Sequence, residues 1–181
     1  SVPAFYPVGL ALAAGAMLAT GCCDISAARR SIDWEVLVVI AAALGVGETM
    51  RSTGLAQELA GTMVGAVGHL GPWFVLAALY LTTMLLTELL SNNATIALMY
   101  PIAMATARSL GLDPMPFLMA LLVAASCGFA TPIGYQTNLM VQGPGGYRFG
   151  DYLRVGFALD IVVMATALFV IPLVWPLAPA A

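Results

Sequence analysis

Apolar runs follow one another along this chain, and what separates them is where polar residues break in. Residues 5–20 are Gly/Ala-rich and residues 34–50 are rich in Val, Leu, Ile and Ala, so each predicts a membrane span. Residues 53–70 differ. Leu55, Leu59, Met63 and Val67 recur at helical spacing, with Gln57, Glu58 and His69 elsewhere, which predicts an amphipathic arm lying at the interface. Gly71-Pro72 then opens a helix expected over residues 73–90, with proline at its start. That helix runs into the polar triplet Ser91, Asn92, Asn93, and an apolar leg resumes over 94–109. The second leg, at about 1.5 Å per residue, reaches only about 22 Å against a hydrocarbon core of about 30 Å. The expectation is therefore a re-entrant hairpin over residues 72–109. A half-span from residue 116 breaks at Thr131-Pro132-Ile133-Gly134 and resumes to 142, a tight loop is expected at 143–146, and a last span covers 151–175.

An asparagine pair inside an apolar run is costly, because its amides and the freed backbone groups need partners that hydrocarbon does not offer. Such interruptions are tolerated where they line a protected cavity, and two of them close in sequence point to a secondary transporter's binding site. Tyr80, Thr83, Thr87 and Ser91 share one helix face leading to the first interruption. Hydroxyls and freed carbonyls at a helix C-terminus suit a hard cation. The N–H groups opening the next helix suit an oxyanion. In the second interruption Gln136, Thr137 and Asn138 add neutral polar groups, and Gly134 allows carbonyls to be presented. Glu88 and Asp160 are acids inside apolar segments, each a candidate proton or cation site. The competing reading is structural: intramembrane hydroxyls often bond back to their own helix, and an acid near an interface can pair with Arg108 or Arg154.

Composition narrows the class. Hydrophobic residues make up 61% of the 181-residue chain and charged residues 8%, against roughly 25% charged in soluble domains. This excludes a soluble domain and, with a net charge of −3, argues against a nucleic-acid partner. Cys22 and Cys23 are adjacent and Cys127 is distant, so neither a disulfide framework nor a transition-metal pattern is present. His69 has no second ligand at metal spacing. The motifs of intramembrane hydrolases are missing, so an enzyme is not expected.

The motifs TELLSNNAT at 87–95 and TPIGYQTNLMV at 131–141 resemble the second signature pair of the divalent anion/sodium symporters, which include citrate-transporter-like and sulfate permeases. The following GPGGY resembles the bacterial subtype that carries TrkA-type regulatory domains. The resemblance implies an all-α integral membrane fold, one repeat of an inverted-repeat transporter with a re-entrant helical hairpin and a broken transmembrane helix. Residues 1–70 would be scaffold spans plus the arm, and 71–181 the transport part. It implies sodium as coupling ion, held by Thr87, Leu90, Asn92 and Gly134, and a divalent anion such as sulfate or a di- or tricarboxylate held by Ser91, Asn92, Asn93, Thr137 and Asn138. It also implies a lipid bilayer in the inner membrane of a bacterium, a missing N-terminal repeat, and a homodimer. No organic cofactor is implied. Two departures stand out: Asn93 replaces the family's usual Thr, and Tyr135-Gln136-Thr137 replaces its usual Thr-Pro-Pro. Two alternatives stay open at this point: a proton- or sodium-coupled exporter or antiporter of the same superfamily, and a non-transporting assembly subunit.

Arginines orient the chain. Arg29, Arg30, Arg148 and Arg154 fall on one side if the hairpin returns to the side it entered, and Arg51 and Arg108 on the other. The richer side is cytoplasmic, which leaves the hairpin mouth and the C-terminus extracytoplasmic. A cysteine introduced at Asp113 is then expected to react with an impermeant thiol reagent from outside, and one at Ser31 is not. The reverse labelling pattern would overturn the orientation.

Overall fold

The computed structural model describes residues 5–22, 24–30 and 34–179. All regular elements among them are helical: α1 (Phe5–Ala19), α2 (Ile25–Arg30), α3 (Trp34–Ser52), α4 (Leu55–Val67) with a 3-10 turn at Gly68–Leu70, α5 (Pro72–Thr87), α6 (Asn92–Leu110), α7 (Met115–Ala125), α8 (Gln136–Gly145) and α9 (Phe149–Val174). The chain divides into two compact units, residues 1–38 and 39–181. In the first, α1 follows the expected apolar run and α2 occupies part of the predicted 21–32 loop. Residues 23 and 31–32 of that loop lie outside the described residues.

The second unit is built around α5. Its buried positions Val75, Leu76, Leu79, Tyr80, Thr83, Met84 and Thr87 repeat at helical spacing and pack on α7 and α6. Facing them are Phe117, Ala120, Leu121 and Ala124 of α7 and Met99, Ile102, Ala103 and Ala107 of α6. Small residues let helix backbones approach closely, which is the main source of helix cohesion when the surroundings are as apolar as the side chains. α4 presents Ala56 and Ala60 as its buried pair and lies on α6 and α5. α9 packs on α7 and α5. Its 26 residues are long and apolar enough to cross a membrane, spanning about 39 Å at 1.5 Å per residue. Val155, Phe157, Val162, Phe169 and Leu173 are exposed along it. A continuous exposed apolar surface of this kind suits lipid rather than water.

Contacts along α9 fix the height of the hairpin. The indole N–H of Trp73, at the start of α5, donates to Leu168 O at 3.1 Å. The turn after α6 meets the C-terminal tail, where the Asp113 N–H donates to Ala178 O at 2.9 Å. Both ends of the hairpin thus lie toward the C-terminal end of α9. Its tip faces Asp160, near the middle of α9.

Several boundaries depart from the sequence reading. α5 stops at Thr87 rather than residue 90, and α6 starts at Asn92 because Ser91, in extended backbone, caps it. α6 carries Pro101 in its interior and reaches Leu110. The legs are therefore 16 and 19 residues, about 24 and 28 Å long. The contrast of a long first leg and a short second one is reversed, and the length argument for re-entry falls with it. Residues 143–145, expected as a loop, are the last turn of α8. Only Gly146 needs the left-handed region, with φ 64°, and its N–H closes on Gln142 O and Gly143 O.

The closest backbone approach is between α9 and the break. A methyl group at Gly156 would overlap the Phe129 carbonyl and crowd the Ala130 Cα. Gly156→Ala is therefore expected to cost about 1–3 kcal/mol, read as a lower melting temperature of the purified protein. Gly150→Ala, with open space around it, is the control. Equal melting of the two variants would show that α9 is not docked through Gly156.

Candidate functional site

The site forms where two interrupted elements touch. Residues 88–91 join α5 to α6. The N–H groups of Leu89 and Leu90 both turn back to Leu86 O, at 3.1 and 2.9 Å, which closes the end of α5. Ser91 accepts the Ala94 N–H on its side chain at 3.4 Å, and its carbonyl accepts the Thr95 N–H at 2.9 Å. The carbonyl end of one helix and the N–H end of the next thus lie four residues apart.

Thr87 is fully buried and Asn92 half-buried. The Thr87 hydroxyl donates to Ala125 O at 2.7 Å and lies 3.2 Å from Asn92 Oδ1. A hydroxyl has one hydrogen. With that hydrogen committed to Ala125 O at the shorter distance, Thr87 Oγ1 and Asn92 Oδ1 face each other as two acceptors.

The break, residues 126–135, is held by side chains from three directions. Glu88 Oε1 accepts the Ala130 N–H at 2.9 Å, and the Glu88 carbonyl accepts the Thr131 hydroxyl at 2.8 Å. Thr131 Oγ1 in turn accepts the Gly134 N–H at 3.0 Å. From α8, the Asn138 amide donates to Gly128 O at 3.0 Å and Thr131 O at 3.1 Å. From α9, the Tyr152 hydroxyl donates to Asn138 O at 2.8 Å. Gly128 and Gly134 lie against each other. A Cβ on Gly134 would stand 3.2 Å from Gly128 O and 3.3 Å from Glu88 Oε2, so glycine here serves close approach rather than conformation.

Three buried polar atoms have no hydrogen-bond partner: Glu88 Oε2, Asp160 Oδ1 and Thr95 Oγ1. Asp160 faces the Glu88 carboxyl and the backbone of Phe129 and Ala130.

The sequence-predicted residues therefore separate into groups. Thr87 and Asn92 meet directly, Leu90 is their chain neighbour, and Gly134 reaches the same place through Thr131 and Glu88. Ser91, Asn93 and Thr137 are exposed. Asn138 is half-buried with both amide hydrogens engaged, so its carbonyl oxygen is the function left over. The Tyr80–Thr87 stripe faces inward. Thr83 bonds back to Leu79 O at 2.8 Å, and the Tyr80 hydroxyl lies 3.4 Å from Cys127 Sγ. Glu88 and Asp160 face each other rather than Arg108 or Arg154, both of which are exposed.

Sequence reasoning missed Thr131, Tyr152 and Gly156 as structural partners of the site. Thr131 carried a signal, since it opens the proline motif. Gly156 carried another, one helical turn before the acid Asp160 on the same face. Nothing in the sequence marked Tyr152.

The citrate transporter family profile matches residues 2–112 and 95–180 of this chain. Among curated relatives, an uncharacterized transporter of Synechocystis sp. is 45% identical over 86% of the chain and 26% of its own length. Sodium/sulfate cotransporter 1 of Chlamydomonas reinhardtii is 39% identical over 88% of the chain and 18% of its own length. Solute carrier family 13 member 2 of Mus musculus is 29% identical over 74% of the chain and 22% of its own length. The chain thus spans about a quarter or less of these relatives. The family and its relatives are transporters, not enzymes. The two motifs, the helical fold and these matches together place the chain among the integral membrane proteins of the citrate transporter family.

Proposed function

We propose that this chain is one repeat of a cation-coupled anion symporter, with sodium as the coupling ion and sulfate or a di- or tricarboxylate as the substrate. The observation that carries the cation site is the pair of facing acceptors, Thr87 Oγ1 and Asn92 Oδ1, 3.2 Å apart with the only hydroxyl hydrogen turned to Ala125 O. Two oxygens so placed repel unless a cation lies between them. The carbonyls of Leu90 and Gly134 complete the oxygen set, which suits a hard ion. The anion would lie on the exposed rim, against Ser91 and Asn93 at the N-terminus of α6 and Thr137 on α8.

The reading treats the hairpin as re-entrant. Support comes from its two ends lying toward one end of α9 while its tip faces the middle. A binding site at that depth is built between two repeats, so the partners are the bilayer, a second repeat contributed in cis or by another chain, and a second copy of the whole transporter. The setting would be the inner membrane of a bacterium, with the C-terminus extracytoplasmic. An exporter working on the same site differs only in the direction of flux.

In the complete transporter, Asn92→Ala is expected to lower sodium-driven uptake of labelled sulfate or succinate at least tenfold. That fold-change corresponds to about 1.4 kcal/mol. The variant should still insert and express. Thr87→Val is expected to raise the sodium concentration needed for half-maximal uptake. Near-normal uptake and sodium dependence in both variants would reduce the tip to a structural turn.

A further inference from the structure

Two carboxyl groups meet in the interior of the second unit with nothing of opposite charge to balance them. Glu88, at the end of α5, is 9% exposed and Asp160, in the middle of α9, is 1% exposed. Each has an oxygen that is buried and without a hydrogen-bond partner, Glu88 Oε2 and Asp160 Oδ1. The other oxygen of Glu88 is engaged with the Ala130 N–H at 2.9 Å. Gly156, one turn before Asp160, presses α9 onto Phe129 and Ala130, so the acids cannot separate without undoing that backbone contact.

The titratable groups facing this pair are few. α5 contributes Tyr80, and the break contributes Cys127. Both are neutral acids that cannot offset a negative charge. On α9 itself, Asp151 and Arg154 are exposed. Among the described residues, neither α7 nor α6 brings a cationic side chain to the pair, since the arginine of α6, Arg108, is exposed at its far end.

Two carboxylates facing each other in a low-dielectric interior cannot both remain ionised. If both were protonated, two acids would be held in place with acceptors left unused. A single proton resolves the arrangement: one carboxylic acid donates to the other carboxylate, and both orphan oxygens gain a partner. We propose that Glu88 and Asp160 form a proton-binding site that holds one proton between them, and that this proton fastens the hairpin tip and the break to α9. The site is separate from the oxygens assigned to sodium and does not depend on which ion is transported.

The chemistry involves no bond change beyond proton transfer. In the closed form the pair carries one negative charge, and the Ala130 N–H stabilises it. Raising the pH removes the shared proton to solvent and leaves two facing negative charges. The packed form binds a proton that the separated carboxyls would have released, so its stability falls as pH rises.

The test is infrared spectroscopy of the complete membrane-inserted protein across a pH series, with Glu88→Gln, Asp160→Asn and the double variant beside the wild type. Sharing predicts that each single variant loses the same one-equivalent carboxylic-acid carbonyl band. The double variant should lose no more than either single one. A single variant that keeps the band, or a double variant that loses two equivalents, would overturn the proposal. If a variant does not fold, the wild type alone decides through its melting temperature, which is expected to fall over the pH range in which the band disappears. An unchanged melting temperature across that range would remove the fastening role.

Discussion

A helix that stops inside an apolar layer leaves carbonyl and N–H groups that only the protein itself can satisfy. Everything described around residues 87–160 follows from that constraint. The break at 126–135 does not satisfy itself. Its Ala130 N–H is taken by the Glu88 side chain, its Thr131 hydroxyl by the Glu88 carbonyl, and its Gly128 and Thr131 carbonyls by Asn138. The hairpin tip and the broken span are therefore one hydrogen-bonded object. A change at either is felt at the other, which is what a site that couples a cation to an anion requires.

Packing holds this object in place. Alanines on α6 and α7 bring the legs of the hairpin and the half-span into close contact, and Gly156 lets α9 touch the break itself. Between the helices of such a bundle there is little hydrophobic driving force, so cohesion rests on close contact and internal hydrogen bonds. Those bonds gather at the middle of α9, where the polar residues are. The same feature that makes the centre polar enough to bind ions also makes it the strongest joint in the unit. Loss of a single buried partner there leaves an unsatisfied group costing about 1–3 kcal/mol.

Much of this was legible in the sequence because local chemistry decides it. The Ser91 cap, the Gly71-Pro72 start and the proline break each sit within a few residues of the element they control. The two motifs also carried the family resemblance. Lengths were less legible. The start of α6 at Asn92 depends on a cap that the triplet alone does not locate, and Pro101 did not end the helix. The run of glycines at 143–146 suggested a turn, yet only Gly146 adopts the conformation that requires glycine. The pairing of Glu88 with Asp160, and the meeting of Gly156 with Phe129, join positions far apart in the chain. No periodicity in the sequence encodes them.

The central claim is that the tip and the break are arranged around a cation. The measurement that bears on it most directly is a high-resolution cryo-electron microscopy structure of the complete transporter, determined in sodium and again in choline. The account predicts a density feature present only in sodium, ringed by Thr87 Oγ1, Asn92 Oδ1 and the carbonyls of Leu90 and Gly134. A well-resolved tip that looks the same in both, with the Asn92 side chain turned to donate its amide to Thr87 and no room for an ion between them, would contradict it.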